Sequence, residues 1–250
     1  MKLIDAFILG AVQGIAEWLP VSSSGHLAVF HHLFGLEGNI SFDVFLHLSS
    51  LCVILIFFRR DIFKVAGALF TWNKKNYDFR VAVYIICATA VTVAAGLLLK
   101  PHIELFSTLK FLPFAFLLTS LLLFASLRRG SGELDAKKAF FIGLIQGIAL
   151  LPGVSRSGAT ISAGKIAGIK NEEVFRFSFL MAIPAIAGAI VYEMKDFSTL
   201  PLGFLLTGFI TSFVLGLCFL YVLKRVFLSG RMYLFGFYTL ALSILLFIAG

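Results

Sequence analysis

Six stretches of this chain, at about 42–58, 81–99, 111–127, 177–194, 202–223 and 232–249, hold almost no charged side chains. Each is long enough to cross a bilayer as a helix, which takes roughly 17 to 25 predominantly apolar residues. The composition excludes a water-soluble alternative. Of 250 residues 60% are hydrophobic, 29 are Phe and only 14% are charged, whereas soluble folds carry about a quarter charged residues. The expected fold class is therefore an all-α integral membrane protein with about ten helical segments. Two further apolar regions, about 3–36 and 139–169, are interrupted by Pro, Gly, Ser and ionisable residues and do not read as simple spans.

The net charge of +8 would raise the question of nucleic acid in a soluble protein. Here it marks topology, because cytoplasmic loops collect Lys and Arg. Sixteen of the 21 basic residues fall in four segments, 59–80, 128–138, 165–176 and 224–231. The other five are Lys2, Lys100, Lys110, Lys195 and Arg156, and only Arg156 lies inside a broken apolar region. If the four basic segments share one side, region 139–169 has basic flanks on both sides and must turn back as a re-entrant helix-loop-helix. Region 3–36 then starts and finishes outside, re-entrant from the opposite face.

The broken regions resemble each other at a constant offset of 133 residues: Gly10, Gln13, Gly14, Ile15 and Ala16 match Gly143, Gln146, Gly147, Ile148 and Ala149. Val21-Ser22-Ser23-Ser24-Gly25 likewise matches Val154-Ser155-Arg156-Ser157-Gly158. Each copy precedes three spans, an odd number, so the second is inverted. The reading is a single membrane domain, 1–250, with a first inverted repeat at 1–127 (motif 8–26) and a second at 139–250 (motif 141–160). Interrupted helices in inverted repeats place polar sites near the midplane, and irregular backbone there must line a cavity or be buried in protein.

The copies differ at their ionisable positions: Glu17 aligns with Leu150, Ser23 with Arg156 and His26 with Ala159. Intramembrane charge is expensive and usually functional and paired. Arg156, between Ser155 and Ser157 in a glycine-rich turn, suits an oxyanion, phosphate above all; a strut bonded to carbonyls is the plain alternative. Ser22, Ser23 and Ser24 add hydroxyls, although Ser is also a common helix cap. Gln13 and Glu17 share one helix face. Glu17 could couple protons, hold Mg²⁺ or Ca²⁺ against phosphate oxygens, or act as a general base.

These residues are recognisable. Gln13-x-x-x-Glu17 with Pro20-Val21-Ser22-Ser23-Ser24-Gly25-His26, and Pro152-Gly153-Val154-Ser155-Arg156-Ser157-Gly158-x-Thr160, resemble the two signature motifs of the bacitracin-resistance family, the undecaprenyl pyrophosphate phosphatases. The resemblance covers nearly the whole chain. It implies a phosphoric anhydride hydrolase that regenerates the monophosphate carrier of bacterial cell-wall synthesis. It also implies a divalent cation, Mg²⁺ or Ca²⁺, held by Glu17, and a site opening to the outer face of the cytoplasmic membrane. Glu17, Ser23, His26 and Arg156 would be catalytic, and Gln13, Ser22, Ser24, Gly153, Ser155, Ser157, Gly158 and Thr160 would bind substrate. Partners on this reading are the lipid pyrophosphate, membrane lipids and a second copy of the chain in a homodimer, with no nucleic acid. Gln13 stands where some members have a second Glu, which weakens any mechanism needing two carboxylates from this motif.

Within that resemblance Ser23 is the preferred nucleophile, with His26 three residues on as base or acid. His26 as nucleophile and direct attack by water stay open. Type 2 phosphatidic acid phosphatases also use Ser-Gly-His but need a His where this chain has Ser162. A transporter or lipid flippase shares inverted repeats and midplane charges and is the competing class. His31, His32 and His47 read as ordinary helix residues, Cys52, Cys87 and Cys218 as small buried hydrophobes, and the N-terminus as lacking a cleaved signal peptide.

Overall fold

A computed structural model describes residues 2–35, 40–99, 101, 106, 108–127, 130–193 and 200–249, with the side chains of 40, 192 and 193 excepted. Lys100, Arg128, Arg129 and Lys195 of the charge count lie outside the described residues. Among the described residues the fold is all-helical, with eleven helices: α1 (Leu3–Ala16), α2 (Ser23–Leu33), α3 (Ile40–Phe57), α4 (Arg59–Thr71), α5 (Tyr77–Leu99), α6 (Leu112–Ala125), α7 (Ala136–Ile148), α8 (Arg156–Ile166), α9 (Asn171–Glu193), α10 (Leu202–Leu228) and α11 (Leu234–Ala249).

Helices α3, α5, α6, α9, α10 and α11 occupy the six apolar runs. With 23, 23 and 27 residues, α5, α9 and α10 are long enough to cross a bilayer on length and composition alone. α6 and α11 are shorter, 14 and 16 residues. At 1.5 Å per residue α6 covers only about 21 Å. These two pack on each other, tied by Ser120 Oγ donating to Gly236 O at 2.8 Å and Ser243 Oγ donating to Pro113 O at 2.7 Å.

Each broken region is a pair of helices with an irregular link, α1–α2 joined through 17–22 and α7–α8 through 149–155. Local chemistry sets their starts. Ser22 Oγ accepts from Gly25 N at 3.2 Å to cap α2, Ser155 Oγ accepts from Gly158 N at 3.1 Å to cap α8, and Asp135 accepts from Lys138 N at 2.9 Å to cap α7.

Small residues decide which helices touch, because apolar side chains gain little by leaving lipid for protein and close backbone approach has to supply the attraction. α1 lies along α10: a methyl group on Gly10 would stand 2.6 Å from Gly208 O. α7 lies along α5 in the same way, with a methyl on Gly143 standing 2.7 Å from Ala88 O. Hydroxyls add cross-links, Ser49 Oγ to Ser212 Oγ at 2.6 Å and Thr92 Oγ1 to Gly143 O at 3.1 Å. An aromatic cluster of Trp18, Phe58, Phe175, Phe179 and Phe227 packs between α1's end, α3, α9 and α10.

Two features differ from the sequence reading. Segment 59–80 is not all loop: α4 leaves α3 at 79°, burying Val65 and Ala68 while exposing Arg60, Lys64, Phe63 and Phe70. Basic side chains with outward aromatics suit an interfacial helix. Cys87 and Cys218 are exposed rather than buried, since lipid accepts a small apolar side chain as readily as a core does.

Candidate active site

The end of α1, the start of α2 and the start of α8 meet at one cavity of about 200 Å³. It is lined by Glu17, Ser22, Ser23 and Ser24 from the first motif and by Ser155 and Arg156 from the second, with His47 of α3 and Gln146 of α7 completing the polar wall. Glu17 and Arg156, 139 positions apart, form its centre: Arg156 Nη2 donates to Glu17 Oε1 at 2.6 Å. Arg156 therefore has a carboxylate partner rather than a backbone carbonyl. Its Nη1 is buried with no hydrogen-bond partner. One nitrogen of the guanidinium fork is thus left without an acceptor.

The other carboxylate oxygen takes Ser23. Ser23 Oγ donates to Glu17 Oε2 at 2.6 Å, and Gln13 Nε2 reaches the same oxygen at 3.3 Å while also donating to Ser50 Oγ at 3.2 Å. His47 Nε2 stands 3.7 Å from Glu17 Oε2. Its Nδ1–H donates to the Asp43 carbonyl at 2.8 Å, which fixes the ring with Nε2 toward the carboxylate.

The two loops are joined directly. Ser24 Oγ accepts from Gly153 N at 3.3 Å and pairs with Ser22 Oγ at 3.3 Å. Gly153 sits at φ +88, where a side chain would be strained and would also meet Ala115 Cβ at 2.8 Å. Ser22 occupies φ 72, ψ 101, an uncommon region for a non-glycine residue that typically costs about 1–3 kcal/mol and concentrates at functional sites.

His26 is not against Ser23. Its Nδ1–H donates to the Ser22 carbonyl at 2.7 Å, so Nε2 is the acceptor, and Tyr238 O–H donates to it at 2.7 Å. The ring stacks on Tyr238 and meets the edge of Phe116. The expected Ser23–His26 pairing is therefore corrected to Ser23–Glu17: both ring nitrogens of His26 are engaged elsewhere, by the Ser22 carbonyl and the Tyr238 hydroxyl, while the Ser23 hydroxyl is taken by the carboxylate. Gln13, Gly153, Ser157, Gly158 and Thr160 also stand behind the cavity wall rather than on it. Thr160 Oγ1 bonds Arg156 O at 2.9 Å and Ser178 Oγ at 2.5 Å, and Ser157 Oγ reaches Trp18 O at 3.4 Å. They hold the α8 start in place.

Three residues escaped sequence reasoning. His47 lies in an apolar run with nothing to distinguish it. Tyr238 is 212 positions from its partner. Gln146 was visible as the repeat image of Gln13, and the two share a property: each donates through Nε2, and each leaves Oε1 buried without a partner. His31 pairs with Asp43 at 3.0 Å and stays clear of the cavity.

The donor set can be tested against a divalent cation. Among the described residues no group of three or more His, Cys, Asp or Glu could hold a metal, so an all-protein cage is not offered. Mg²⁺ is commonly held by one or two carboxylates with substrate phosphates supplying the remainder. Glu17, the carboxylate on the cavity wall, fits that mode.

A family model described as "Bacitracin resistance protein BacA" matches residues 6–245. The undecaprenyl-diphosphatase of Thermosipho africanus is 38% identical over 257 residues, covering 99% of this chain and 100% of its own. That of Treponema denticola is 39% identical over 259 residues, covering 98% of this chain and 96% of its own. An archaeal relative of the same name, from Methanobrevibacter smithii, is 37% identical over 270 residues, covering 99% of this chain and 97% of its own.

Proposed function

The chain belongs to the bacitracin resistance protein BacA family, and from that membership we infer an undecaprenyl-diphosphatase. This multi-pass membrane hydrolase converts undecaprenyl pyrophosphate to undecaprenyl phosphate and inorganic phosphate. The product is the lipid carrier of cell-wall synthesis, and its regeneration confers bacitracin resistance.

One observation carries the chemistry: a single carboxylate, Glu17, receives both the Ser23 hydroxyl and the Arg156 guanidinium at 2.6 Å inside a small polar cavity. In the reading this supports, the diphosphate enters beside Arg156 and takes the unpartnered Nη1. Glu17 Oε2 accepts the Ser23 proton as Ser23 Oγ bonds to the terminal phosphorus. The bond from that phosphorus to the bridging oxygen breaks, and prenyl phosphate leaves with the electron pair. Water then attacks the phosphoserine, Ser23 Oγ departs as the hydroxyl with the proton Glu17 holds, and inorganic phosphate is released. Arg156 stabilises the charge gathering on the phosphoryl oxygens in both steps. Glu17 would hold Mg²⁺ or Ca²⁺, which would supply charge neutralisation on the diphosphate.

The reciprocal packing of α1 on α10 and of α7 on α5 supports the reading of 1–127 and 139–250 as two copies of one repeat, with the site between them. The family resemblance implies a site open to the outer face of the cytoplasmic membrane.

Phosphate release from purified protein with undecaprenyl pyrophosphate and Mg²⁺, with and without chelator, tests the proposal. Release should depend on the cation and fall by about 10²–10³-fold in Arg156→Ala. No release from well-folded wild type would overturn it and favour a carrier.

A further inference from the structure

Segment 59–80 carries six basic side chains, Arg59, Arg60, Lys64, Lys74, Lys75 and Arg80, all of them exposed. Among the described residues none of the six is ion-paired. The two acids of the segment are drawn inward instead. Asp61 Oδ1 lies 2.7 Å from Arg176 Nε and Asp78 Oδ1 lies 2.6 Å from Arg176 Nη2, so a single arginine of α9 engages both carboxylates. The outward face of the segment is therefore cationic.

Helix α4 sets this charge against an apolar arc. At 3.6 residues per turn, Val65, Leu69, Ile62, Ala66, Phe70 and Phe63 fall within an arc of about 160°, while Arg60, Thr71 and Lys64 fall within about 40° on the opposite side. The inner part of the apolar arc closes on α5 and α9, where Ile62, Val65, Ala66 and Leu69 share a cleft of about 190 Å³ with Ile85 and Pro184. Its outer part is Phe63 and Phe70, 77% and 91% exposed. Because α4 leaves α3 at 79°, it lies across the direction of that span. This orientation puts the aromatic arc toward hydrocarbon and the basic edge at head-group level.

We propose that α4 and the turn after it form a binding surface for phospholipids whose head group carries net negative charge, selected over zwitterionic ones. Lipid phosphate oxygens accept from Arg60 and Lys64 while the acyl chains lie against Phe63 and Phe70, and Lys74 and Lys75 extend the surface beyond the helix. The Arg176 clamp contributes to the selectivity, since an outward Asp61 or Asp78 would repel the same head groups. Juxtamembrane lysines and arginines attract anionic lipid through a field that salt screens.

The chain carries its own probe. Trp72, at the end of α4, is 72% exposed, and the other tryptophan, Trp18, is fully buried. The whole protein is reconstituted in equimolar phosphatidylcholine and phosphatidylglycerol, with bromine on the acyl chains of one lipid or the other, so that only the label differs between samples. Brominated phosphatidylglycerol should quench the tryptophan emission about twofold more than brominated phosphatidylcholine, and high salt should bring the ratio near one. The combined variant Lys64→Gln, Lys74→Gln and Lys75→Gln, changed only at exposed side chains, should elute as wild type on size exclusion and lose the preference. Equal quenching by the two labels in wild type would overturn the proposal. A preference that persists in high salt, in the triple variant or in Trp72→Phe would overturn it as well. Quenching by neither label would place α4 off the bilayer and leave the basic surface to an acidic protein partner. None of these readouts depends on catalysis, so the phosphatase reading stands or falls separately.

Discussion

Arg156→Met removes the guanidinium while keeping an unbranched apolar side chain in its place. The 2.6 Å contact to Glu17 disappears, and both partners are largely buried, their side chains 15% and 7% exposed. Glu17 would keep Ser23 and Gln13 as donors but lose its strongest countercharge. Breaking one side of a buried ion pair typically costs about 3–5 kcal/mol, mainly because an uncompensated charge remains. For a domain of this size 1 kcal/mol moves the melting temperature by about 2–4 °C, so the expected drop is roughly 6–20 °C. Adding Glu17→Gln removes the stranded charge, and the double variant should recover most of the loss, to within about 2 kcal/mol of wild type. Arg156→Met should release phosphate about 10²–10³-fold more slowly, as expected when a principal donor to the transition state is removed, and the double variant, which also lacks the Glu17 base, more slowly still. The assay is thermal unfolding in detergent followed by tryptophan fluorescence, beside phosphate release on the same preparations. If Arg156→Met melts with wild type, or if single and double variants melt together, the pair does not hold the site as argued.

Ser23→Ala should abolish any trapped phosphoserine and lower kcat by at least about 10³-fold, because the covalent route is lost; a variant within tenfold of wild type would instead assign the attack to water. Gly143→Leu should prevent stable insertion or yield an aggregated protein on size exclusion, because even a methyl there stands 2.7 Å from Ala88 O; a monodisperse, active variant would refute the close α5–α7 approach. Asp135 caps α7, and the Lys138 backbone N–H bonded to its carboxylate holds it below the usual Asp range. A carboxyl depressed in the folded state stabilises above its unfolded value and loses that contribution as pH falls through the folded one. Asp135→Ala should therefore cost about 1 kcal/mol at neutral pH, with the difference from wild type narrowing as pH falls through and below the ordinary Asp range, read from melting curves across the acid range.

Much of the site was legible before folding because membrane sequences are constrained at two levels. Charge is so costly in hydrocarbon that Glu17 and Arg156 stand out in their apolar regions, and the 133-residue offset places both in equivalent loops. What was misread depends on partners supplied by other segments. Ser23 and His26 are close in sequence, yet the hydroxyl's partner is Glu17 and the imidazole's is Tyr238. Thr160 and Ser157 belong to the motif pattern but spend their hydroxyls on α8 and its neighbours. His47 and Tyr238 carried no signal, since a lone polar residue in an apolar run has the same sequence appearance whether it faces a site or fills a core.

The sequence by itself determined the solvent, the helical class, the two interrupted motifs and the charged residues within them, because the cost of placing charge and unpaired backbone in a bilayer acts on residue types regardless of neighbours. Only the tertiary structure decided which side chains meet: that Arg156 closes on Glu17, that Ser23 shares that carboxylate, that His26 turns to Tyr238, and that Asp61 and Asp78 turn in to Arg176. Those choices depend on which small residues let two helices approach within touching distance, as Gly10 does against Gly208. Many pairs of apolar helices offer such residues, and only the assembled packing selects among them.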